Sequence, residues 1–178
     1  PRQRLEILRR IRYMIENSRT SRMEWRGRNL DALEHHELRP RFRVYRLVRK
    51  LEAEVERRFG ERLDALGEAA GDRQVRERTR QTALRALVHS IRTGEKSPFM
   101  SYCRALAERQ LERGAPLEVV VAIVRALETT CIEVLGQDPD ADGLDVVLRD
   151  AFELTAEFGI DRIHQVYESA SASVPPAG

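Results

Sequence analysis

The stretch "DPDADG", residues 138 to 143, places Asp138, Asp140 and Asp142 at alternate positions ahead of Gly143. That is the first half of a loop in which carboxylates converge on calcium and glycine permits the sharp turn. Counting Asp138 as position 1, position 12 is Arg149, a cation where such a loop needs a bidentate glutamate. The stretch therefore reads as an acidic, helix-capping turn, and no metal is expected. The four histidines, His35, His36, His89 and His164, raise haem as a second possibility, because one proximal imidazole suffices to hold it. None has the spacing of a metal pair. His89, in "LRALVHSIRTG" beside Leu87, Val88 and Ile91, is the haem candidate, and a capped or partly buried structural histidine is the alternative reading.

Catalytic groupings are missing from the sequence. No nucleophile stands beside a base, no glycine-rich loop offers to cradle phosphate, and no carboxylate is framed by apolar residues in the manner of a tuned acid. Glu128 and Glu133 are five residues apart; Glu153 and Glu157 are four apart, where they would share a helix face, repel mildly and stay solvated. The two cysteines, Cys103 and Cys131, each sit inside an apolar helical pattern, as buried thiols in a reducing compartment do. The expectation is a chain with no turnover of its own and no cofactor.

The elements that position these residues are helical. Charged residues make up 34% of the 178 and aromatic ones 6%, a balance that suits helices better than a sandwich of short strands. Leu5, Leu8, Ile11 and Met14 or Ile15 predict a helix over about 3 to 17; "NSRTSRMEWRGRN", around Trp25, reads as a loop. Pro40 is positioned to open a helix carrying Val44, Leu47, Val48, Leu51, Val55 and Phe59 and ending at Gly60. Asp72 is the expected cap of a helix running to Gly94, and Ser97 the expected cap of the next, which Pro98 opens.

That next helix shows Phe99, Tyr102, Cys103, Leu106 and Leu111, and Gly114 and Pro116 then end it and restart the chain in "LERGAPLEVV". Leu117, Val120, Val121, Val124, Leu127, Cys131 and Leu135 form a stripe wide enough for a central helix. A last long helix runs from Leu144 to Tyr167, with Gly159 the place for a bend. The expected architecture is all-α, globin-like or a related bundle of about six to seven helices. Residues 1–168 form a single domain, with 1–30 a candidate N-terminal extension and 169–178 a disordered tail.

No run of about 18 apolar residues offers a membrane span, and the N-terminus lacks a signal-peptide cleavage pattern, so a cytoplasmic location is expected. Residues 1 to 59 carry 17 basic and 9 acidic side chains, a net of +8 against +2 for the whole chain. Such asymmetry suits either an anionic partner, nucleic acid included, or attraction between protomers. A helix-turn-helix with "RQVRERTRQTALRALVHSIRTG" as its recognition helix lacks a first helix able to lock it. Nucleic-acid binding through Arg2 to Arg28 is the alternative function the charge allows.

The segment "ALRALVHSIRTGEKSPFMSYCRALAERQLERGAPLEVVVAIVRALETTCIEVL", residues 83 to 135, resembles the N-terminal domain of the RsbT co-antagonist (RsbR/RsbRD) family. The likeness lies in the order of an apolar helix ending in glycine, an aromatic-led helix, the turn with Gly114, Pro116, Leu117 and Glu118, and a helix rich in Val and Leu. It covers about a third of the chain. The resemblance implies a non-haem, globin-like sensor domain of the stressosome, acting as a homodimer and through a regulatory partner protein or a fused output domain. A co-antagonist continues into a STAS domain of alternating strands and helices, a pattern this sequence does not contain; an excised sensor domain and a free-standing relative are both compatible with that. On this reading the crease at Gly114 folds two helices into an apolar groove, with Phe99, Tyr102, Leu106, Val121 and Val124 as candidate lining; the alternative is that these residues serve as core or as a partner-facing surface.

Overall fold

The structure is a computed structural model that describes the backbone of residues 30–172 and the side chains of residues 40–172. The expected helix at 3–17, Trp25, the arginines from Arg2 to Arg28, the side chains of His35 and His36 and residues 173–178 lie outside the described residues. The chain divides into two compact units, Pro1–Leu38 and Arg39–Gly178, and the second contains the core. Among the described residues five helices follow one another: α1 (Leu30–Ala65), α2 (Arg73–Thr93), α3 (Ser97–Glu112), α4 (Leu117–Gly136) and α5 (Asp145–Ala172). Short 3-10 turns at Gly67–Ala70 and Pro139–Ala141 join α1 to α2 and α4 to α5. The protein is all-α, with no strand among the described residues, and none of its described helices is long and apolar enough to cross a membrane.

The periodic stripes become buried faces. Val44, Leu47, Val48, Val55, Phe59 and Leu63 bring one side of α1 into the core, where α3 packs along α5, α5 along α4 and α2 along α3. α4 is the most enclosed of these, with Val120, Ile123, Val124, Leu127, Cys131, Val134 and Leu135 all buried. Each large apolar side chain removed from water in this way contributes about 1.5–3 kcal/mol before the entropy of ordering it is counted. Much of the apolar stripe of α1 and of α5 is thus covered within one chain.

The helix ends obey local chemistry, with three departures. Asp72 accepts a hydrogen bond from the Val75 N–H (2.9 Å) and starts α2 as expected, and Gly94 ends it at φ 77°. Pro40, however, lies inside α1 and does not open it; a proline removes one backbone donor, while the bonds on either side can carry the helix past it. Gly60 likewise does not terminate α1. It is helical and faces the Arg80 side chain, whose Cδ would be 3.1 Å from an added Cβ. Ser97 is the first residue of α3 and not its cap. The orphan N–H of Phe99 is bonded instead by the buried Ser90 hydroxyl of α2 (3.1 Å). The last helix runs unbroken through Gly159 and continues past Ser169 to Ala172, with the hydroxyl of Ser171 bonded back to the Tyr167 carbonyl (3.0 Å).

Candidate functional site

The crease that the sequence singled out is a tight elbow. α3 stops at Glu112, Gly114 takes φ 73°, and Pro116 in extended conformation restarts the chain into α4. The Ala115 N–H donates to the Gln110 carbonyl (2.9 Å), and the Tyr167 hydroxyl reaches across from α5 to donate to the Ala115 carbonyl (2.8 Å). Of the five candidate lining residues, Phe99, Leu106 and Val124 are fully enclosed members of the core, while Tyr102 and Val121 are half-buried against it. The Tyr102 ring stacks on Phe99 with centroids 5.9 Å apart. Its hydroxyl is buried without a hydrogen-bond partner, and the nearby Thr82 hydroxyl donates to the Arg78 carbonyl (2.7 Å). Burial also pushes the Tyr102 phenol well above its usual range.

His89 is on the outer face of α2 with its side chain exposed. Its neighbours Leu87, Val88 and Ile91 turn to the core, and it does not. No group of three or more His, Cys, Asp or Glu among the described residues is arranged to hold a metal ion. The acidic turn at 138–142 carries its own cation. Lys50 on α1 bonds Asp138 (2.9 Å) and Asp140 (2.7 Å), and Arg43 points at the carbonyls of Asp140 and Asp142. The Lys50 ammonium holds the Asp138 carboxyl below its usual range. Part of the basic surplus of residues 1 to 59 is thereby neutralised inside the chain, and further along α1 Arg62 pairs with Glu133.

Two arrangements were not legible from sequence. The first is an ion-pair bridge between α4 and α5, where Arg125 donates to Glu128 (2.8 Å) on its own helix and to Glu157, 32 positions further on. Glu128 is buried, so it is not a solvated face residue, and burial raises its carboxyl pKa against the opposing pull of Arg125. The second is a cleft of about 240 Å³ between α2 and α3. Val75 and the enclosed Leu106 supply its apolar floor. The buried side chains of Thr79 and Gln110 form the wall, with the Gln110 amide donating to the Ala70 carbonyl (3.1 Å). Arg78, Arg109 and Arg113 surround the mouth, accompanied by Glu112 as its one carboxylate. Leu106 is the only one of the five candidate lining residues that reaches this cleft.

The thiols are enclosed and free. Burial pushes Cys103 up to about 12 and Cys131 up as well, which removes the thiolate needed for nucleophilic or redox chemistry at neutral pH. No protein-family model, curated protein or solved structure is significantly similar to this chain.

Proposed function

We propose that this chain is a non-catalytic regulatory domain, a globin-like helical sensor of the kind that opens the RsbT co-antagonists, acting through homodimerisation and contact with a regulatory partner. The observation that carries this reading is where the polar groups go. Between the helices several of them are engaged with one another, as in the half-exposed Arg125 with Glu128 and Glu157 and the buried Gln110 with the Ala70 carbonyl. The open cleft carries arginines and a threonine, groups suited to recognition.

The elbow at Gly114, where the resemblance is strongest, is fixed to α5 by Tyr167 and so belongs to the structural frame of the domain. The dimer rests on the resemblance and on exposed apolar side chains, Phe42 and Val146. Light scattering at micromolar concentration, with and without reductant, tests it: twice the mass of 20.5 kDa in both conditions is expected, and a monomer would remove the dimeric sensor reading.

The charge of the N-terminal third favours nucleic-acid binding as a second reading. Its signature would be affinity for duplex DNA that falls steeply with salt. The regulatory reading expects no such affinity.

A further inference from the structure

We infer that the cleft between α2 and α3 binds a small organic anion, an oxyanion head group on a short apolar stem. This assigns a ligand class to the sensory reading and depends on that reading for its biological role, while the binding itself stands on the cleft.

The argument begins with charge. Arg78, Arg109 and Arg113 all line the cleft, with Glu112 the one carboxylate of the described lining and Asp72 beside Arg113. Among the described residues the ion pairs include Arg76, Arg80, Arg104 and Arg125 and do not include Arg78 or Arg109. Arg113 has only a long contact to Asp72, at 3.4 Å. Guanidinium groups recognise phosphate and carboxylate through paired donors in a plane, and they do so best where no internal carboxylate competes.

The floor supplies the second half of the specificity. Leu106 on α3, which is enclosed, and Val75 on α2 are its apolar lining residues. A volume of about 240 Å³ is room for several water molecules and so for a head group with a stem of a few carbons. The buried Gln110, held by the Ala70 carbonyl, gives the wall a fixed polar face beside the stem.

Butyl phosphate is a suitable probe, with butyrate, inorganic phosphate and butanol as comparisons, titrated into the full chain and followed by amide and arginine side-chain NMR shifts. Saturable shifts at Val75, Thr79, Leu106 and Gln110 are expected, with a dissociation constant on the order of millimolar or tighter for so small a ligand. Inorganic phosphate and butanol should each bind at least about tenfold more weakly, because each lacks one half of the recognition. The double variant Arg78→Gln/Arg109→Gln removes two exposed, unpaired side chains and should fold normally while losing at least tenfold in affinity. Equal shifts with butanol, no saturation with either anion, or wild-type affinity in the double variant would each overturn the assignment. Those failures leave the oligomeric mass untouched, so they are distinct from failure of the regulatory reading.

Discussion

Gly159 of α5 lies so close to Cys103 of α3 that a Cβ added to the glycine would stand 2.6 Å from the sulfur and 3.0 Å from the Phe99 ring. Gly159 is therefore a crossing point between two helices. It costs α5 about 1 kcal/mol of helix propensity relative to alanine and in return lets α3 and α5 approach.

Gly159→Ala should lower stability despite its better helix propensity, because overpacking a closed core costs about 1–3 kcal/mol and Cys103 and Phe99 are both fully buried. Cys103→Ala removes the atom in the way. Urea melts of the two single variants and the double should show the double variant more stable than the sum of the singles predicts. Strict additivity would mean that the clash is relieved somewhere else.

Tyr102→Phe should raise the melting temperature by a few degrees or leave it unchanged. The hydroxyl it removes is enclosed and unpartnered, and such a group costs about 1–3 kcal/mol of desolvation. A clear loss of stability in thermal melts would show that the Tyr102 hydroxyl has a partner.

Glu128→Gln should become progressively more favourable, relative to wild type, as pH rises. The folded chain holds the Glu128 carboxyl above its ordinary value of 4.5 through burial. Below that value the group is protonated in both states and contributes no difference. As pH climbs past it, the unfolded chain releases the proton first and the folded state loses relative stability until Glu128 also ionises. The glutamine variant lacks this loss, so the difference in melting temperature, variant minus wild type, should increase as pH rises above about 4.5. A difference that stays flat or falls would reverse the assigned direction.

Neither thiol should react with a disulfide reagent at about pH 8 while the chain is folded, and both should react once it is denatured. Their burial and raised pKa values leave little thiolate. Rapid labelling of the native protein would show that α3 or α4 opens locally.

How far the fold could be read from sequence depends on the range of the signal. Asp72, Gly94 and Gly114 act within one helical turn, and their roles were legible from residue type. Gly60 and Gly159 have the same residue type and a different function, because what they accommodate, Arg80 and Cys103, arrives from another helix. Ser90 was invisible as a cap for the same reason, since the N–H it serves belongs to Phe99 on the next helix. Among the site residues, stripe membership correctly marked Phe99, Leu106 and Val124 as apolar, but periodicity cannot separate a core wall from a groove wall. The cleft escaped notice because Arg78 on α2 and Arg109 on α3 look like ordinary solvated arginines until the two helices are laid side by side.

The acidic turn between α4 and α5 is already occupied in a chemical sense. Lys50 is tethered to the same chain as Asp138 and Asp140, so its ammonium is present at an effective concentration on the order of millimolar, without any dependence on dilution. A divalent ion arriving from solution competes with that resident counter-ion as well as with water, and displacing it would leave a lysine without its two carboxylates. A sequence that resembles half of a calcium loop is thereby converted into a clasp that holds α1 against the turn.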